Sequence, residues 1–151
     1  MLEFSDMRVV TVGLLTLFLL GVIPARTSLL AQKRSVWDGV YTAEQAARGE
    51  RSFSRSCGGC HRDDASGGDD SEPPLRGQNF TPNWEDASIA GLYDFIATNM
   101  PRNKPGSLPL PECVDIVAFL LKLNGMPPGQ TELPTDMKIL SAIQFTAARP
   151  K

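Results

Sequence analysis

Two cysteines three positions apart, followed at once by a histidine, form the most specific chemical signature in this chain. The run is Cys57-Gly58-Gly59-Cys60-His61. This spacing is typical of covalent haem attachment, in which two thiols add across the haem vinyl groups and the adjacent imidazole binds the iron. We therefore predict thioether bonds at Cys57 and Cys60 and an axial iron ligand at His61.

Two other roles of paired cysteines fit the remaining residues poorly. A structural zinc site needs four ligands, whereas the chain has one further cysteine, Cys113, and its single histidine is already in the motif. A thioredoxin-like dithiol requires a strand before the motif and a parallel sheet around it, and neither pattern is visible. We interpret Cys113 as a small buried core residue, with a disulfide-linked dimer as the alternative.

The sixth iron position distinguishes electron transfer from chemistry at an open iron. Two of the five methionines, Met1 and Met7, lie in an amino-terminal segment that we expect to be removed as a signal peptide. This leaves Met100, Met126 and Met137 as candidate ligands. Met100 lies between the second and third predicted helices, from where its thioether can reach the haem face opposite His61. We predict Met100 as the ligand, with Met126 as the alternative. An iron without a sulfur ligand would instead suit a haem sensor or a peroxidase-like enzyme.

The amino terminus resembles a secretory leader. Residues 9–23 are apolar except for two threonines and two glycines, a run too short for a comfortable membrane span but typical of a signal core. We expect residues 1–31 to be a signal peptide cleaved after Ala31, with Met7 as an alternative start. An uncleaved membrane anchor is the other interpretation. The expected location is the periplasm or another exported compartment.

Composition limits the remaining chain to one small domain without a nucleic-acid partner. About 120 residues follow the leader, which is enough for a single compact domain. The formal net charge is −2, with no run of Lys or Arg that would bind a phosphate backbone. We divide this part into a linker (32–41), a domain (42–130) and a tail (131–151) that carries a short helix near 137–143. The acidic residues between 63 and 72 are interpreted as a solvated loop rather than a docking site.

Three amphipathic segments predict helices, and no strand pattern competes with them. The first starts at Thr42, where Gln45 three residues on completes a capping box, and it runs into the haem motif. The second covers 88–99 and stops before a proline. The third follows Pro111 and ends at Asn124, which precedes a glycine. The stretch from 62 to 86 is rich in Gly, Asp and Pro and is predicted to be a loop across one side of the haem.

Together with the haem motif, two further stretches resemble class I single-haem cytochromes c of the periplasm. They are Asn99-Met100-Pro101 with Pro105-Gly106-Ser107-Leu108, and Asn124-Gly125 after the last helix. The similarity covers roughly residues 36–129 and is nearest to the carriers and subunits associated with quinoprotein alcohol dehydrogenases. It implies a small all-α fold of three main helices wrapped around one haem, in which Gly49 and Phe53 meet Phe119.

The resemblance also implies a function and a hydrogen-bond partner for the histidine ligand. The expected protein is a His/Met-ligated haem c carrier, monomeric or dehydrogenase-associated and not itself an enzyme. It would take electrons from a periplasmic dehydrogenase, with a quinoprotein as the leading candidate. In the family a proline carbonyl after the motif accepts a hydrogen bond from the ligand, and Pro74 matches best, although a loop-stiffening proline is the alternative. The chain departs from the family at Leu110-Pro111, where a Ser or Thr cap is usual.

Overall fold

The structure, a computed structural model, describes residues 34–68 and 72–149. Three long helices dominate this part, so the predicted all-α class is confirmed. No helix within these ranges is long and apolar enough to cross a membrane. The predicted leader and the Met7 start lie outside the described residues. The elements are β1 (Arg34–Ser35), α1 (Ala43–Ser56), α2 (Gly58–His61), a 3-10 turn (Gly77–Asn79), α3 (Thr81–Trp84), α4 (Ile89–Asn99), α5 (Leu110–Leu123), α6 (Met137–Ser141) and β2 (Ile143–Gln144).

The start of α1 confirms half of the predicted capping box. The Thr42 hydroxyl accepts a hydrogen bond from the Gln45 backbone N–H at 3.1 Å. The expected return bond from the Gln45 side chain is wrong, because this buried amide binds Leu133 instead. Its Nε2 donates to the Leu133 carbonyl at 2.9 Å and its Oε1 accepts from the Leu133 N–H at 2.8 Å. A buried amide group needs hydrogen-bond partners for both its N–H and its oxygen, and the backbone of Leu133 supplies them.

The crossing of α1 and α5 brings two backbones into contact. A Cβ added at Gly49 would collide with the backbone carbonyl of Asp115. One turn further along α1, the rings of Phe53 and Phe119 lie 5.1 Å apart between centroids. The predicted meeting of these helices at a glycine and two aromatic residues is therefore confirmed. Only a residue without a side chain permits this approach.

The segments that the sequence suggested as linker and tail pack into the same core as the helices. Tyr41 is 1% exposed and donates from its hydroxyl to the Met126 carbonyl at 2.6 Å. Burial raises the pKa of Tyr41 to about 12. β1 and β2 pair in parallel, with Arg34 opposite Ile143. These strands were not predicted, because two residues are too few to show an alternating pattern.

Two further helices carry a proline in their first turn. α5 begins after Pro109 without a side-chain cap, as expected, and Pro111 occupies its first turn, where the missing N–H costs nothing. α3 also carries a proline, Pro82, in its first turn. The predicted loop from 62 to 86 therefore contains two short helical turns that its Gly and Pro content concealed.

Replacing Gly49 by Ala should destabilise the fold, because the added methyl group forces the α1–α5 backbones apart. We expect a loss of about 1–3 kcal/mol in the free energy of unfolding, measured by denaturant titration. Gly91 is the matched control, since it is exposed in α4 and an added Cβ meets no atom within 4 Å. Gly91→Ala should gain about 0.5–1 kcal/mol. An unchanged denaturation midpoint for Gly49→Ala would contradict the close crossing.

Candidate functional site

The end of α1 and the single turn of α2 bring the motif residues together. The Cys57 N–H donates to the Phe53 carbonyl at 2.7 Å, so the first cysteine still follows the helix. The His61 N–H donates to the Cys57 carbonyl at 2.9 Å, which closes the turn. Cys57, Cys60 and His61 consequently line one cavity. Anchoring Cys57 to α1 ties this corner of the cavity to the α1–α5 crossing.

The cavity is large and mostly apolar. Its volume is about 1140 Å³, above the ~300–1,000 Å³ usual for small-molecule sites. This size and lining suit a broad, flat, apolar cofactor, and two thiols and an imidazole stand at its wall. The apolar lining comes from Phe53, Leu75, Phe80, Trp84, Leu92, Phe95, Ile96, Met100, Ile116 and Leu120.

His61 is oriented by a proline carbonyl, although not by the predicted one. His61 is 8% exposed, and its Nδ1 lies 2.9 Å from the Pro73 carbonyl oxygen. A carbonyl only accepts, so Nδ1 is the donor in this hydrogen bond, and Nε2 is the ring nitrogen that could bind a metal. This corrects the assignment of Pro74 by one residue. The register is set by the Leu75 N–H, which donates to the Ala65 carbonyl at 2.9 Å. Pro74 lines the cavity.

Met100 is the methionine that lines the cavity together with His61. It is the residue at which α4 ends, with its N–H donating to the Ile96 carbonyl at 3.1 Å and its own backbone extended. Met126, in contrast, is buried in the core after α5, and Met137 is exposed at the start of α6. The geometry therefore favours Met100 over the alternative thioethers. The donor set of imidazole and thioether suits haem iron.

Cys57 lacks the lowered thiol pKa of a redox-active cysteine. Burial is the main cause that raises the pKa of the Cys57 thiol to about 11, whereas redox-active pairs have a lowered thiol pKa. Cys113 is fully buried, as predicted, and burial raises its pKa as well. A protonated, partly buried Cys57 and an exposed Cys60 fit attachment to a cofactor in the cavity.

The acidic loop is engaged in local contacts where the structure describes it. The Asp63 carboxylate accepts from the Ser54 hydroxyl at 2.6 Å. The Asp64 carboxylate accepts from the Ser66 N–H at 3.0 Å and lies 3.2 Å from Arg76, and these partners lower its pKa. Asp69 and Asp70 lie outside the described residues. These contacts agree with an ordinary solvated loop.

A comparison with protein families agrees with this geometry. The family model described as "Cytochrome C oxidase, cbb3-type, subunit III" matches residues 44–120, just over half of the chain. The solved structure of the sulfane dehydrogenase SoxCD from Paracoccus pantotrophus is similar at 23% sequence identity and a TM-score of 0.48. That match covers 72% of this chain and 61% of the other, so it spans less than two thirds of the neighbour. No curated protein matches the chain.

Proposed function

Because the chain belongs to the cytochrome c family described as cytochrome c oxidase, cbb3-type, subunit III, we propose that it carries single electrons on a His/Met-ligated iron. Its cofactor is a covalently bound haem c, and its role is haem-based electron transfer. We assign attachment to Cys57 and Cys60 and axial ligation to His61 and Met100. The observation that carries this assignment is that all four side chains line one cavity.

Each of these residues has a separate task. When bound, the haem supplies an iron that gains and loses one electron. Thioether bonds from Cys57 and Cys60 would hold it permanently in the cavity. The hydrogen bond to Pro73 fixes the His61 ring and increases its basicity as a ligand. The Met100 sulfur would favour the reduced iron and raise the reduction potential.

We further propose that the electrons come from a dehydrogenase in an exported compartment. The resemblance of residues 99–108 to cytochromes that serve quinoprotein alcohol dehydrogenases supports this donor, and cytochrome c domains are typically exported or periplasmic. A carrier must dissociate between turnovers, so the encounter should bury a small surface, often under about 1,200 Å².

Thiol counting tests the attachment. The chain has three cysteines, and thioether formation at Cys57 and Cys60 should leave one thiol, that of the buried Cys113. A thiol reagent should therefore react with no group in the native holoprotein and with one after unfolding, and with none in unfolded Cys113→Ser. The haem should remain with the polypeptide in acid-acetone. Haem in the organic phase, or three thiols in the unfolded protein, would contradict the assignment.

Replacing Met100 by Ala tests the sixth ligand. The variant should lose the weak sulfur-to-iron absorption band, bind carbon monoxide and have a lower reduction potential, because the iron loses its thioether. Met126→Leu is the matched control and should keep all three wild-type properties. The opposite pattern would make Met126 the ligand. Carbon monoxide binding by the wild type would instead favour the open iron of a sensor or peroxidase-like enzyme.

The donor is tested by stopped-flow reduction with a quinoprotein dehydrogenase purified from the same organism. Reduction of the cytochrome should be at least as fast as dehydrogenase turnover, because a slower step would limit the pathway. The Met100→Ala variant, with its lower potential, should be reduced more slowly. Wild-type reduction that lags behind turnover would reject this donor while leaving the haem assignment intact.

A further inference from the structure

A row of four aromatic rings connects the carboxyl-terminal segment to the cavity. Phe145 meets Phe80 edge-on, with ring centroids 6.2 Å apart and planes at 80°. Phe80 lies 6.2 Å from Trp84, and Trp84 lies 5.9 Å from Phe95. Phe80, Trp84 and Phe95 all line the cavity, whereas Phe145 is 1% exposed and lies behind them. Three rings thus form a wall of the cavity and the fourth supports it.

The backbone of Phe145 is fixed to the chain that directly follows Trp84. Its N–H donates to the Ala87 carbonyl at 2.7 Å, and its carbonyl accepts from the Asp86 N–H at 3.1 Å. Two residues on, the Ala147 N–H donates to the Glu85 carboxylate at 2.5 Å. These bonds fix the support relative to the α3–α4 connection, so the position of Phe145 determines the space behind Phe80.

A second set of contacts holds the same segment from its other side. β2, which ends one residue before Phe145, pairs with β1 near the amino-terminal end of the described chain. The indole N–H of Trp37 donates to the Thr146 carbonyl at 2.9 Å. The segment around Phe145 is therefore hydrogen-bonded to residues 85–87 on one side and to residues 34–37 on the other. It cannot move away from Phe80 without breaking some of these bonds.

We propose that Phe145 is a positioning residue that holds the Phe80–Trp84–Phe95 wall against the haem and keeps water from it. The family match ends at residue 120, so this role belongs to a part of the chain outside it. Phe95, at the other end of the row from Phe145, is 44% exposed. The inference rests on the proposed ligation by His61 and Met100, because the wall matters only beside a bound haem.

Loss of the Phe145 ring would leave a void behind Phe80, and the wall would relax into it. Water would then reach the haem more easily. The oxidised haem carries one more positive charge than the reduced haem, and water stabilises that charge. A looser wall should therefore lower the reduction potential, because solvent exposure is one of the factors that set it.

The test compares three variants of the haem-loaded protein. Phe145→Ala should shift the potential downward and accelerate the binding of added imidazole at the iron several-fold. Phe145→Leu refills most of the void and should restore most of both properties. Leu140→Ala removes a fully buried side chain from α6 in the same segment and is the control. It should lower the thermal midpoint about as much as Phe145→Ala while leaving the potential and the imidazole rate at wild-type values.

Equal shifts of potential in Leu140→Ala and Phe145→Ala would overturn the proposal, because loosening of the whole fold would then explain both. A wild-type potential in Phe145→Ala would overturn it as well. If Phe145→Ala does not fold, the decision falls to Phe145→Leu, which should show a smaller shift in the same direction. Wild-type protein that lacks covalent haem would reject the proposed function itself, a separate outcome that is visible before any variant is made.

Discussion

The contact between the backbones of α1 and α5 at Gly49 is the constraint on which the rest of the structure depends. It sets the distance between the helix that ends at Cys57 and the helix whose Ile116 and Leu120 line the cavity. A wider crossing would separate Cys57 and Cys60 from the apolar residues that line the cavity with them. The permanently bound cofactor therefore relies on one residue that has no side chain.

Polar contacts at the edge of this crossing secure the returning chain. The Arg48 guanidinium lies 2.9 Å from the carboxylates of both Asp115 on α5 and Glu132 beyond it, which raises the pKa of Arg48 and lowers that of Glu132. Such partly exposed pairs contribute little individually, about 0–1 kcal/mol each. Their neighbour is the buried Gln45–Leu133 pair, which carries a larger cost if left unsatisfied. Together they bind the segment that leads to Phe145.

The sequence predicted the parts of this structure that are local or periodic. The haem motif, the three long helices and the Gly49–Phe53–Phe119 contact could be read from spacing or resemblance. The choice of Pro73 over Pro74 could not be predicted from the sequence. It depends on backbone hydrogen bonds within the loop between residues 65 and 75, which decide which proline carbonyl lies next to His61.

The position of Phe145 behind Phe80 could not be predicted from the sequence either. Gln45 has the position of a capping residue, and only the folded chain brings Leu133 to it. Phe145 stands in a short stretch without periodicity, so its burial depends on contacts with residues more than 50 positions away. Contacts between residues that are far apart in the sequence leave no local pattern. The aromatic residues at positions 80, 84 and 95 were the available sign of an aromatic wall in this region.

The proposed function depends on the binding of one iron by Met100 and His61 in this cavity. Proton NMR of the reduced protein with isotopically labelled methionine methyl groups tests it most directly, because a methyl group directly over a haem is shifted far upfield by the ring current. We expect one strongly upfield methyl resonance, assigned to Met100, with Met126 and Met137 in the ordinary range. An upfield resonance assigned to Met126, or a spectrum in which no methionine methyl is shifted, would contradict it.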